Sequence, residues 1–168
     1  GVALPKGDRQ RWLVEKLVEL GATACQPLRT ERGVVQPEGG TPEKLRRAVV
    51  EASKQCGRNR LMEIAPLTDW PSFLAAASAA TQRWIAHPPP VSSDPSNAPA
   101  TSAPWSAIHP GEQVYLAIGP EGGFTDQEVA AAVAAGWRTL GLGPRFLRIE
   151  TAALALVATL AAQFEWRG

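Results

Sequence analysis

Two glycine-bearing turns gather the residues of this sequence whose types and spacing could do chemistry. The first, "AIGPEGGFTDQE" (Ala117–Glu128), joins a strand-like run carrying Val114, Leu116 and Ile118 to a helix that Thr125 or Asp126 can cap. Gly119 and Pro120 open the turn. Gly122 and Gly123 have no Cβ, so the backbone is free to take positive φ and a ligand can come close to the main chain. Glycine-rich strand-to-helix turns often hold phosphate at the helix N-terminus. This one has neither the G-x-x-x-x-G-K-[ST] nor the G-x-G-x-x-G spacing, and the Glu121 carboxylate would repel an anion. The expected ligand is therefore not a phosphate, the alternative being a turn that merely joins strand to helix. The second turn, "LGLGPRFLRIETA" (Leu140–Ala152), brackets Leu142 with Gly141 and Gly143 and runs into a helix. Ligands of open α/β sheets bind beyond the carboxyl ends of the strands, so both turns are expected to line one crevice.

Alternating strand and helix signals supply the scaffold. "GDRQRWLVEKLVELG" predicts a helix with Asp8 as N-cap, Trp12, Leu13, Leu17 and Leu20 at helical spacing, and Gly21 as its stop. "TACQPL" follows as a short strand and "TERGVVQPEGG" as a polar loop. In "TPEKLRRAVVEASKQCGR", Leu45, Ala48, Val49, Ala52 and Cys56 form an apolar stripe opposite Lys44, Arg46, Arg47 and Lys54. "LMEIAPL" predicts a strand, "DWPSFLAAASAA" a helix and "QRWIAH" another strand. The alternation argues for one α/β domain over residues 1–168, a mostly parallel sheet flanked by helices. The proline-rich stretch 88–104 cannot build a core and is expected as an exposed insertion loop. The final helix, "TAALALVATLAAQFEW", has only Thr151, Thr159 and Gln163 as polar residues through Phe164. It must be covered nearly all round, inside its own chain or at a dimer interface.

Composition narrows the classes. The chain has 168 residues, enough to bury one core, and no apolar run near the roughly 20 residues of a bilayer span. No charged segment precedes an apolar one at the start, so a soluble, cytoplasmic protein is expected. The opening at Gly1 suggests a fragment or processed product. Cys25 and Cys56 lie apart from each other and from both histidines, indicating buried thiols and neither a disulfide framework nor a metal site. The net charge of +1 hides an asymmetry: residues 1–60 hold twelve Lys/Arg against seven Asp/Glu, and residues 61–168 hold five against nine. A basic half attracts phosphate backbones without reading sequence, although a solvated helix surface with ordinary ion pairs gives the same count.

In order along the chain, "KGDR…EK…ELG", "P…TER", "EA…KQCGR", "IGPEGGF" and "LGPRFLRIETA" resemble the RsmE family of ribosomal RNA uridine-N3 methyltransferases, within the SPOUT superfamily. The last two motifs are the most specific. The resemblance implies a C-terminal trefoil knot, a homodimer, and S-adenosylmethionine (SAM) held in a bent pose. It places the cofactor against Leu116, Ile118, Gly119, Pro120, Glu121, Gly122, Gly123, Leu140, Gly141, Leu142, Gly143 and Leu147, with His87 at the strand end beside them. SAM carries no phosphate, which suits a glycine turn without the P-loop lysine. Methylation of uridine N3 needs a base and stabilisation of the developing anion; Glu150 and Glu121 are the candidate bases, Arg148 and Arg145 the candidate stabilisers. Arg9, Lys16, Arg32, Arg46, Arg47, Arg58 and Arg60 are candidate phosphate contacts, Lys16 having Glu15 or Glu19 as an alternative partner. The implied substrate is 16S ribosomal RNA in the small subunit. A non-catalytic RNA-binding or assembly protein of the same fold, or a methyltransferase acting on transfer RNA, are the alternatives. Three features depart from the family: Gly33 where serine is usual, Ile149 within "LRIETA", and the longer proline-rich loop. The family's N-terminal PUA-like domain has no counterpart in this sequence.

Overall fold

The computed structural model describes residues 1–34, 41–80, 82–87, 108–109 and 111–163; the expected insertion at 88–104 and the end of the last helix at Phe164 lie outside them. The elements run α1 (Arg9–Glu19), β1 (Ala24–Cys25), β2 (Leu28–Arg29), α2 (Thr41–Cys56), β3 (Glu63–Ile64), β4 (Thr68–Asp69), α3 (Trp70–Ala76), β5 (Gln82–Ala86), β6 (Val114–Ile118), α4 (Asp126–Ala134), β7 (Arg138–Leu140) and α5 (Ile149–Ala161).

Every strand pairing is parallel: β1 with β3, β2 with β4, and β5 between β6 and β7. Val2 stitches these pairs together, bridging Ile118 on one side and Pro27 on the other. Its N–H donates to the Gln26 carbonyl at 2.9 Å and its carbonyl accepts from the Leu28 N–H at 2.9 Å. The expected strands "TACQPL" and "LMEIAPL" each turn out to be two short pieces. Pro27 and Pro66 sit in the gaps and have no N–H for a ladder bond. The register also slips there, from Ala24 opposite Glu63 to Leu28 opposite Thr68, so one strand carries an extra residue, as in a bulge.

Side chains alternate across the sheet and divide the core between its two faces. Trp84 and Ile118 belong to a cluster with Leu13, Leu17, Val49 and Leu156, while their neighbours Ile85 and Ala117 belong to one with Trp70, Phe73, Phe124 and Trp137. Helices α1, α2 and α5 thus cover one face, and α3 and α4 the other. Three expectations need correcting. Asp8 precedes α1 but makes no capping bond, its own backbone being already helical. Trp12 is 45% exposed, because the buried stripe of α1 is Leu13, Val14, Leu17 and Val18. Cys56 is exposed at the end of α2, whereas Cys25 is buried and burial pushes its thiol pKa up, leaving it inert.

Candidate functional site

The three central strands end level with one another. Ala86 is in register with both Ile118 and Leu140, so the Gly119 turn, His87 and the Gly141 turn leave the sheet at one edge. The half-buried His87 extends this edge by donating its backbone N–H to the Leu140 carbonyl at 3.1 Å. Leu116, Leu140, Leu142 and Leu147 are only partly covered and pack onto the core below, giving this end of the sheet an apolar surface continuous with the interior.

The first turn is braced from several directions. Phe124 lies under Gly119, where a Cβ would come within 2.9 Å of its ring, and the same ring packs tilted against Trp70, centroids 4.7 Å apart, in the aromatic core. Gly123 adopts φ +70°, a conformation that suits glycine, and its N–H donates to the Pro120 carbonyl at 2.8 Å. Thr125 and Glu128 form a full capping box at the start of α4. The Arg32 guanidinium donates to the Gly122 carbonyl at 2.9 Å, and the Glu31 N–H donates to the Glu128 carboxylate at 2.9 Å. The "TER" segment is therefore a buttress of the turn, a role that its charge alone did not suggest. Gly122 itself needs no special φ, and a Cβ there would meet nothing nearer than Arg32 at 3.5 Å.

The candidate acid–base residues converge on Arg9. Its guanidinium lies 3.3 Å from Glu121 Oε1 and 3.4 Å from Glu150 Oε1, joining α1, the first glycine turn and α5. Spacing in the sequence gave no sign of this, the partners being more than a hundred positions apart. The side chain of Glu150 is only 9% exposed, and its Oε2 is buried without a hydrogen-bond partner. A buried carboxylate is costly unless paired, so Arg9 offsets part of that cost and leaves one oxygen able to accept a proton. Arg145 and Arg148 are exposed on the second turn and make no ion pair among the described residues.

The remaining basic candidates fall into two groups. Some are engaged within the chain: Lys16 pairs with Glu19 at 2.8 Å, and Arg58 donates to the Val18 and Gly21 carbonyls, closing the end of α1. Arg46, Arg47 and Arg60 are exposed; among the described residues Arg46 donates a long 3.4 Å hydrogen bond to the Ile64 carbonyl. With Lys44 and Lys54, Arg46 and Arg47 give α2 four cations against Glu43 and Glu51.

Residues 1–161 match the family described as the RNA methyltransferase domain. Ribosomal RNA small subunit methyltransferase E of Synechocystis sp. is 36% identical over 98% of this chain and 52% of its own length. The Bacillus subtilis protein of the same name is 32% identical over 96% of this chain and 64% of its own. The crystal structure of the Neisseria gonorrhoeae protein of that name, bound to S-adenosyl methionine, superposes with a TM-score of 0.78 at 30% identity, covering 95% of this chain and 62% of that one. The chain thus spans between half and two-thirds of the length of these relatives.

Proposed function

The chain belongs to the RNA methyltransferase domain family, as its resemblance to the RsmE proteins implies, and on that premise we propose that it binds SAM between its two glycine turns and methylates N3 of a uridine in 16S ribosomal RNA. The observation that carries the proposal is the common level of Ile118, Ala86 and Leu140, so that both turns leave the same end of the sheet, where ligands of open α/β sheets bind. The residues there suit the cofactor. The leucine floor suits an adenine ring, and Glu121 on the first turn, 64% exposed, is a carboxylate able to face a sulfonium cation. When bound, SAM supplies a methyl group activated for in-line attack. The chain's own contribution is to align the reactants and manage charge. Glu150 is the proposed base for the proton that N3 must lose: its Oε2 meets no protein donor but is buried, so the bound substrate must open a path to it, while Arg9 holds Oε1. Arg148 and Arg145, exposed on the second turn, supply positive charge to the RNA beside the reacting uracil.

Gly122→Val tests the cofactor placement. A Cβ at Gly122 is accommodated at ordinary contact distance from Arg32, so melting temperature should hold while SAM affinity in calorimetry falls about 10- to 100-fold, the scale of 1–3 kcal/mol for overpacking. Wild-type affinity in a folded variant would sink the placement.

The cationic face of α2 is proposed as a contact for the RNA backbone, with Arg60 nearby in sequence. The double variant Arg46→Glu, Arg47→Glu should weaken RNA binding, lower the salt slope by about 1–2, and leave SAM binding alone. Unchanged RNA affinity at low salt would mean that the basic half is only a solvated surface.

Two finer features belong to the same proposal. On α5, Leu154, Val157 and Leu160 form a partly exposed stripe, which supports a two-fold homodimer and is checked by sedimentation of the wild type at micromolar concentration. The chain crosses back over β5 between β6 and β7, which supports a crossing of the kind a trefoil knot requires; a crystal structure tracing residues 119–149 decides it. No helix of the described residues is long and apolar enough to cross a membrane, and a ribosomal substrate would place the protein in the cytoplasm.

A further inference from the structure

The second glycine turn holds a residue to which the methyl-transfer proposal gives no task. Phe146 is 102% exposed, although Leu142 and Leu147 of the same turn pack onto the core. Distance from the interior therefore does not explain its exposure. Gly143, at φ +92°, and Pro144 set the turn's course, and the ring stands out between Arg145 and Arg148. Both arginines are exposed and without an ion-pair partner among the described residues, and the acidic candidates of the site, Glu121 and Glu150, are engaged by Arg9. An uncovered aromatic face between two free guanidinium groups is an arrangement that recognises unpaired nucleobases: the ring stacks on a base and the cations take the phosphates beside it. Apolar protein partners fit it less well, because both charges would be brought against a surface that must neutralise them. A second copy of the chain meeting this patch with its own would add two more cations.

We propose that Phe146 is a stacking platform for an unpaired base of the RNA substrate, with Arg145 and Arg148 contacting the adjoining phosphates. This rests on the RNA-substrate proposal above and adds to it a residue that positions the strand at the mouth of the crevice.

The test is equilibrium binding of the chain to a short single-stranded RNA of mixed sequence carrying 2-aminopurine, with Phe146→Ala, Phe146→Leu and Phe146→Trp beside the wild type. Stacking predicts that Ala and Leu weaken RNA binding about 5- to 150-fold and relieve quenching of the 2-aminopurine, while Trp retains both. SAM affinity by calorimetry and sedimentation behaviour should match the wild type in all three. Leu binding RNA as well as Phe would overturn stacking in favour of a simple apolar contact. Loss of SAM affinity in the Ala variant would assign the ring to the cofactor, and dissociation of a dimer would assign it to a second copy. Should the wild type bind SAM but no RNA, the substrate proposal fails first; RNA binding that ignores Phe146 removes the platform alone.

Discussion

Glu150→Gln is expected to lower methyl transfer about 10²- to 10⁴-fold, the usual contribution of a general base, while SAM remains bound. The substitution keeps the shape of the side chain and removes its charge, and with it both the capacity to accept a proton as an anion and the ion pair with Arg9. The expectation follows from an asymmetry within one carboxylate: Oε1 lies 3.4 Å from Arg9, whereas Oε2 is buried and meets no donor. A group kept only to anchor Arg9 or to favour the N-terminus of α5 would behave differently. In that case the glutamine variant would transfer methyl at nearly the wild-type rate, and its effect would appear as a lower melting temperature shared with Arg9→Gln. Single-turnover rates, measured with melting curves, separate the two roles.

The largest expected effect on stability is that of Leu156→Asp. Sequence analysis left α5 to be covered by its own chain or by a second subunit, and the structure apportions that cover residue by residue. Leu156 is 1% exposed and sits in the core with Leu13, Leu17 and Trp84. Removing a buried leucine's bulk alone costs about 2–5 kcal/mol, and an unpaired carboxylate in that place adds to it. Against a total stability of about 5–15 kcal/mol, the variant should be largely unfolded. Leu156→Ala provides a graded control, expected to melt about 6–12 °C lower for a loss near 3 kcal/mol in a domain of this size. Retention of a cooperative, near-wild-type melt by Leu156→Asp would show that this face of α5 is not core. Dimer loss without unfolding should come instead from a charge at Val157, in the partly exposed stripe.

The fold was legible wherever a repeat of 3.6 or 2 ran long enough to be seen. Helices α1, α2 and α4 follow from spacing and turn residues, because each buries one face against the sheet, and the central strands β5 and β6 from short apolar runs bounded by turns, covered on both faces. The outer strands were legible only as apolar runs; their interruption at Pro27 and Pro66 depends on pairing between distant segments. The two glycine turns could be recognised because their glycines are local requirements, Gly123 and Gly143 for positive φ and Gly119 for the ring beneath it. The charged partners could not. Arg9 and Arg32 counted in the sequence simply as cations of a basic half, yet both reach across to the first glycine turn, and the fold alone brings these groups together. Phe146 shows the opposite limit: its neighbours Leu142 and Leu147 turn inward, and nothing in the order of residues says which of the three stays out.

Heteronuclear NMR of the ¹⁵N-labelled chain, recorded with and without SAM, tests the central claim most directly, since every amide reports its own surroundings. The account predicts that the largest shifts cluster at His87, Gly119–Gly123 and Gly141–Leu147, with the amides of α2 unmoved. Saturating SAM that leaves both turns unperturbed in a folded chain, or shifts gathered on α1 and α2 instead, would contradict it.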